Sequence, residues 1–356
     1  MPDAIWIDRD AELPALADIL ASEPWICVDT EFLRERTFFP KLCLLQLAAA
    51  GQVWCVDTLR IGSLDPLMAA LTAAPTRKAL HAARQDLEAV YLLAKRVMTP
   101  VFDTQIAAAC IGLKPQIGYA ELVKTLLDVT IPKGQTRTDW SMRPLTREQL
   151  AYAADEVLYL RAVADRLLAR LDELGRERWV LEDCAALEDL NLYEPDPSQA
   201  WVRLRGLAQL GPESRARAKV IAVWREKLAR ARDLPRAWIL PDAAIFSVAQ
   251  GSAPPLNDSL AANLRGALAQ AADEVRDTEP VQEARPTAQQ KVLIDRLGKI
   301  VDARAADLQV SAELLAPRGE LKALAMDARE RALRDSHALR GWRREEVGVR
   351  LLEALP

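Results

Sequence analysis

Trp25-Ile26-Cys27-Val28-Asp29-Thr30-Glu31 is a short apolar run that ends in two carboxylates. Aromatic and β-branched residues suit a strand, and side chains two apart on a strand share a face, so Asp29 and Glu31 project together. Two similar runs follow. Leu42-Cys43-Leu44-Leu45-Gln46-Leu47 precedes Gly51, and Val53-Trp54-Cys55-Val56 ends at Asp57. Their short connections predict three neighbouring strands with antiparallel pairing. Beyond them the pattern predicts a helix over 64–73, a strand over 78–82, a helix over 85–97, a strand at Val101-Phe102 and a helix from Thr104. The order βββαβαβα predicts a mixed sheet with flanking helices. Residues 146–173 read as one long helix, opened by the capping-box sequence Thr146-Arg147-Glu148-Gln149.

The 356 residues predict two or three domains, and 50% hydrophobic with 28% charged residues is ordinary for a globular chain. No run of 18 apolar residues exists, which excludes a membrane-spanning helix. The first residues carry acids where an export signal needs basic residues, so a cytoplasmic location is expected. Five scattered cysteines without a C-x-x-C pair fit a reduced chain, and two histidines leave no ordinary zinc site. Charged chemistry must therefore rest mainly on carboxylates.

A polar break at Glu194-Pro195-Asp196-Pro197-Ser198 separates this half from a region that reads as helical. Gly251-Ser252-Ala253-Pro254-Pro255 interrupts that region, and a second linker runs from Glu279-Pro280 to Arg285-Pro286. The expected domains are 1–195, 200–278 and 287–356, the last two forming a tandem helical repeat. On this division, removing 198–356 is expected to leave a folded first domain. Residues 198–356 carry 26 basic and 21 acidic residues, leaving 21 and 30 for 1–197. The basic excess concentrates in Arg203, Arg205, Arg215, Arg217, Lys219, Arg225, Lys227, Arg230 and Arg232. These residues either hold a polyanion or form a solvated face.

Two other acids join the pair at the strand end. Asp86 lies where the strand through His81 gives way to a helix, a position that also suits a plain helix N-terminus. On the long helix, Tyr152 and Glu156 are four apart and can meet. At about 100° per residue, Glu156 lies at the edge of the apolar stripe with Tyr152, while Asp155 turns toward solvent. Carboxylate oxygens in such a set suit a hard cation such as Mg²⁺ or Mn²⁺.

Together, Val28-Asp29-Thr30-Glu31-Phe32, the stretch from His81 to Asp86 and Tyr152-x-x-x-Glu156 resemble the three motifs of the DEDD exonucleases, in the subclass that carries a tyrosine. Thr37 to Leu47, Phe102-Asp103-Thr104-Gln105-Ile106 and Arg137-Thr138-Asp139-Trp140 resemble the bacterial ribonuclease D family. So do Ile239-Leu240-Pro241, the stretch from Val310 to Arg318, and Leu339-Arg340-Gly341-Trp342-Arg343, which are similar to its two HRDC domains. The resemblance covers essentially the whole chain. It implies an α/β RNase H-like exonuclease domain followed by two all-α HRDC domains, and hydrolysis of RNA from the 3′ end to nucleoside 5′-monophosphates. It implies two divalent metal ions held by Asp29, Glu31, Asp86 and Glu156, and water orientation by Tyr152. Where the family carries Asp, this chain has Glu156. The basic residues from Arg203 to Arg232 would hold RNA, with tRNA precursors as the implied substrate and a monomer as the expected state. The alternatives are a 3′–5′ exonuclease on DNA and an RNA-binding protein with weakened catalysis.

Overall fold

The computed structural model describes residues 4–73, 75–132, 138–271, 286–326 and 336–356. The linker expected at 279–285 and Arg137 lie outside them. The chain divides into two compact units. The first comprises Met1–Phe32, Leu42–Asp189 and Arg285–Pro356, and the second comprises Leu33–Lys41 and Leu190–Ala284.

The first unit is built on a six-stranded mixed sheet in the order β1-β4-β3-β2-β5-β6. Its strands are β1 (Ile5–Ile7), β2 (Trp25–Leu33), β3 (Lys41–Ala49), β4 (Gln52–Val56), β5 (Arg77–Leu80) and β6 (Val101–Asp103). β3 and β4 form the expected antiparallel hairpin, with Ala49 opposite Gln52. Its two turn residues, Ala50 and Gly51, have φ of 49° and 74°. Positive φ at both positions matches the turn to the right-handed twist of the strands. β1 was not anticipated. Three residues show too little alternation to register in sequence, yet Ile5-Trp6-Ile7 pairs in parallel with Trp54-Cys55-Val56. The pairs β2–β5 and β5–β6 are also parallel.

Strand register sorts the side chains by face. Cys27 lies opposite Ala79, Ala79 opposite Phe102, and Ala48 opposite Val53. All belong to or pack against one apolar core. That core also receives α4 (Thr104–Cys110), α5 (Tyr119–Leu127), α6 (Arg147–Leu158), α7 (Leu160–Leu174) and α8 (Glu177–Ala186). The alternating residues Ile26, Val28, Leu45, Leu47 and Val56 are fully buried as well, so the other face is covered too. The remaining helices of this domain, α1 (Leu13–Ser22), α2 (Asp65–Thr72) and α3 (Arg84–Ala94), contribute buried leucines that are not part of the first core.

The helix expected over 146–173 is two helices. Tyr159 leaves helical geometry at ψ −8°, separating α6 from α7. The two halves serve different partners, α6 packing on β4 and α7 on α4 and α5. The apolar period continues through the break, which is why the sequence reads as uninterrupted.

The C-terminal segment also belongs to this unit. It holds α13 (Ala288–Leu308), α14 (Ala312–Leu315), α15 (Arg318–Met326) and a last helical stretch from Gly341 to Ala354. Leu297, Val301, Leu315 and Trp342 share the core on one face of the sheet. Trp342 stacks on Trp179 of α8 with centroids 4.0 Å apart and planes at 10°. Arg343 donates to both carboxylate oxygens of Asp183, and Arg176 donates to the carbonyls of Cys110 and Leu308. At Gly112, φ is +93° and a Cβ would lie 2.3 Å from the Gln309 carbonyl oxygen, so only glycine permits this approach. These contacts place residues 285–356 in the same compact unit and core as the sheet.

The second unit contains α9 (Pro212–Arg232), α10 (Arg236–Ile239), α11 (Asp242–Ala249) and α12 (Asp258–Gln270). It repeats the C-terminal array at an offset of 76 residues: α9 matches α13 (212 to 288) and α10 matches α14 (236 to 312). The left-handed caps Asp233 and Gln309 correspond, as do the extended residues Leu240 and Ala316 before Pro241 and Pro317. The segment 33–41, which follows β2, belongs to this unit. The amides of Phe38 and Phe39 donate to Asp233, and Arg236 lies 4.4 Å from the Phe38 ring centre.

Candidate active site

β2 carries Asp29 and Glu31 on the face shared with Cys27, and Thr30 on the other. The Thr30 hydroxyl donates to Asp86 Oδ1 at 2.5 Å. Asp86 sits in the first turn of α3, and its approach is fixed by Asp103 at the end of β6. One Asp103 carboxylate accepts from the amides of Ala82 and Ala83 before α3 and from Gln105 and Ile106 at the start of α4. His81 is a structural residue. Its Nε2 donates to the Ile117 carbonyl at 3.0 Å, and Nδ1 lies 2.9 Å from Thr104 Oγ1.

α6 brings the other two groups. Its start is the expected capping box, Thr146 Oγ1 accepting from the Gln149 amide while Gln149 Oε1 accepts from the Thr146 amide. Ahead of it, Arg143 donates through Nε and Nη2 to the two carboxylate oxygens of Asp57, each at 2.7 Å, and to the Cys43 carbonyl at 2.7 Å. Asp57 is fully buried, so this pair bolts the entry of α6 to the ends of β3 and β4. The Trp140 ring packs against Tyr152, 6.1 Å between centroids.

Tyr152 and Glu156 interact across one turn of α6, as their spacing predicts, burial and the Glu156 charge raising the Tyr152 hydroxyl. Asp155 departs from expectation. It is buried at 6% exposure, and its carbonyl accepts from the Tyr119 hydroxyl at 3.2 Å. The helical wheel located one apolar stripe, but α6 is covered on this flank as well.

The four acids share one electrostatic environment. Burial raises Asp29 well above the usual carboxylate range, and the charges of Asp86, Glu156 and Glu31 raise it further. Burial, with Glu156 and Asp86, pushes Glu31 up to about 8. Asp86 is pushed up to about 7 by burial, against the opposing hydrogen bond from Thr30. Burial also raises Glu156, while the bond from Tyr152 holds it down. Buried acids that repel one another in this way stabilise a cation among them. Among the described residues no three His, Cys, Asp or Glu side chains enclose an ion by themselves. Mg²⁺ commonly takes one or two carboxylates and completes its shell with water and substrate phosphate, so this donor set fits such an ion.

The nine basic residues do not form one surface. Arg215 is buried and donates to the Leu207 and Leu210 carbonyls, and Arg225 is buried against the Leu240 carbonyl and Asp242. Arg203 and Arg230 pair with buried Glu226, which Arg236 also holds. Burial pushes Glu226 up, but these guanidiniums bring it below the usual range. Arg215, Arg225 and Arg230 are therefore engaged internally, and Arg203 reaches Glu226 from an exposed position. Arg205, Lys227 and Arg232 are exposed, and Arg217 and Lys219 half-buried. Lys219 and Lys227 line a groove of about 790 Å³ with Trp201 and Trp224. Sequence reading did not single out Thr30, Asp57, Asp103 or Arg143. Asp57 and Asp103 end apolar runs and were visible as such, whereas the partner that makes Arg143 important is 86 residues away.

A family described as 3′–5′ exonuclease matches residues 4–172, and the HRDC domain family matches residues 214–274. The chain is 43% identical over 249 residues to a ribonuclease D of Acidiphilium cryptum, spanning 70% of this chain and 63% of that one. It is 36% identical over 371 residues to a ribonuclease D of Gluconacetobacter diazotrophicus, spanning 98% and 91%. The crystal structure of Escherichia coli RNase D, an exoribonuclease involved in structured RNA processing, superposes with a TM-score of 0.87 at 28% identity, covering 99% of this chain and 98% of that one.

Proposed function

The chain belongs to the ribonuclease D family, and from that premise we infer how its own residues carry out hydrolysis at RNA 3′ ends. It is a 3′–5′ exoribonuclease that depends on divalent metal, with an exonuclease domain and an HRDC domain. We assign it to the DEDD exonucleases of the tyrosine subclass, with an exonuclease domain over 1–195 and HRDC-type modules over 200–278 and 287–356. The second module is supported by the constant 76-residue offset between the two arrays, α9 at 212 against α13 at 288.

Asp29, Glu31, Asp86 and Glu156 are the metal-holding carboxylates, and the mutual charge repulsion of these four buried and half-buried acids, reaching Tyr152 as well, is the observation that carries the proposal. Two bound Mg²⁺ or Mn²⁺ ions would neutralise the phosphodiester, lower the pKa of the attacking water and stabilise the leaving 3′-oxygen. Thr30 holds the Asp86 carboxylate in place. The Tyr152 hydroxyl, oriented by Glu156, positions the attacking water. Nucleoside 5′-monophosphates leave one at a time. Arg205, Arg217, Lys219, Lys227 and Arg232 contact phosphates of the RNA body without reading its sequence. The substrates are tRNA precursors and the protein acts as a cytoplasmic monomer. Among the described residues no helix is long and apolar enough to cross a membrane.

The test is cleavage of matched 3′-labelled RNA and DNA oligonucleotides with Mg²⁺, Mn²⁺ or EDTA. RNA is shortened from its 3′ end only with metal, and Asp29→Asn and Asp86→Asn each lose several orders of magnitude in rate while remaining folded. Near-normal cleavage by either variant would falsify the carboxylate assignment. Preferential cleavage of DNA would move the substrate to the alternative class.

A further inference from the structure

Gln46 is a fully buried amide in a strand whose other buried residues are leucine, cysteine and alanine. Neither its Oε1 nor its Nε2 has a hydrogen-bond partner among the described residues. A buried carboxamide without a protein partner is costly unless something else satisfies it, and leucine at the same position would avoid that cost.

Register shows what it faces. Gln46 lies opposite Cys55 and Ala48 opposite Val53, so the side chains of Gln46 and Ala48 share a face with Cys55 and Val53. Ala48, Val53 and Cys27 meet in one core. Asp29, two residues beyond Cys27, points to that same side, and β2 is the strand next to β3. Gln46 is thus on the strand beside Asp29 and on its face of the sheet. The charge of Asp29 reaches Cys55, the residue directly across the ladder from Gln46, which agrees with that placement.

We propose that Gln46 is a positioning residue of the exonuclease site, its carboxamide holding the Asp29 carboxylate through a buried water. The inference rests on the reading of Asp29 as a metal-holding group. Buried waters typically make about three hydrogen bonds to otherwise unsatisfied groups. A carboxamide and a carboxylate are suited to share one, Nε2 donating to the water and the water donating to the carboxylate. An outer anchor of this kind orients a ligating group and commonly contributes about 10–100-fold in metal affinity or activity.

Gln46→Leu and Gln46→Met in the full chain test the proposal with two readouts besides cleavage. Without metal, both variants are expected to melt cooperatively as folded proteins, so that a change in metal binding reports the lost anchor and not unfolding. By calorimetry, Mn²⁺ is expected to bind about 10–100-fold more weakly. In cleavage of a short single-stranded RNA, kcat falls while KM is unchanged. Adding Gln46→Leu to Asp29→Asn should cost no further Mn²⁺ affinity, since the anchor acts through Asp29. Unchanged Mn²⁺ affinity and kcat in either folded variant overturns the role of Gln46. If Asp29→Asn itself binds Mn²⁺ and cleaves like the parent, the underlying site assignment fails instead.

Discussion

Glu156 and Asp155 are chain neighbours in different surroundings. Glu156 lies one turn from Tyr152 and contributes to the field at Asp29 and Glu31. Asp155 is buried, and burial alone raises its pKa. Glu156→Ala is expected to abolish most cleavage, and Tyr152→Phe to lower the rate while leaving Mn²⁺ affinity nearly intact. Asp155→Asn should retain cleavage. A carboxyl raised by burial destabilises the fold progressively as pH climbs from its ordinary pKa through its raised one. Asp155→Asn should therefore gain in melting temperature over the parent as pH rises above the ordinary carboxylate pKa. Initial rates and melting curves on the three variants check this. An inactive Asp155→Asn beside an active Glu156→Ala would shift the third motif by one residue. The proximity of Tyr152 and Glu156 was legible because four-residue spacing on a helix leaves one geometry. The burial of Asp155 was not, because covering that flank depends on the distant Tyr119.

α6 brings a tyrosine and a carboxylate to a strand edge, and its entry rests on one buried ion pair. Asp57 is fully buried and Arg143 half-buried, with side-chain exposures of 0% and 19%. Removing one member leaves the other charge buried without compensation, at a cost of about 3 kcal/mol. Arg143→Ala should lose roughly that much in a denaturant titration and also lower kcat, because the loop ahead of the Thr146 cap is released. Asp57→Ala should do the same, and the double variant should cost less than the sum. Full additivity would show that the pair does not act as a unit. The capping box was readable because its partners are three residues apart. The break at Tyr159 was hidden because both halves keep the same apolar period while packing on different elements.

The C-terminal array is part of the catalytic unit rather than an appendage. Trp342 is 1% exposed and stacks on Trp179, so Trp342→Ala should destabilise the first unit by about 3–5 kcal/mol although it lies far along the chain from the carboxylates. The chain cut after residue 197 should aggregate or melt well below the full protein. An equally stable fragment would contradict the shared core. RNA holding calls for a different measurement. Replacing exposed Arg205, Lys227 and Arg232 by Gln should make log K against log salt shallower by roughly 2, given about 0.7 per phosphate contact on single strands. Arg215→Gln should instead lower the stability of the second unit, because its guanidinium holds backbone carbonyls. An unchanged salt slope in the triple variant would reduce these residues to a solvated surface.

Local patterns by themselves determined the central strands, the hairpin, the cap of α6, the pairing of Tyr152 with Glu156 and the repeated helix–cap–Pro sequence. Each depends on residues only a few positions apart, where backbone geometry fixes who can meet whom. Only the tertiary structure decided that 287–356 shares the core of the sheet, that Arg215 and Arg225 point inward, and that Thr30, Asp57, Asp103 and Arg143 brace the carboxylates. Those outcomes turn on burial and on partners tens to hundreds of residues away. A guanidinium or a tryptophan reads the same in sequence whether its partner is solvent or another element, and only packing distinguishes the two.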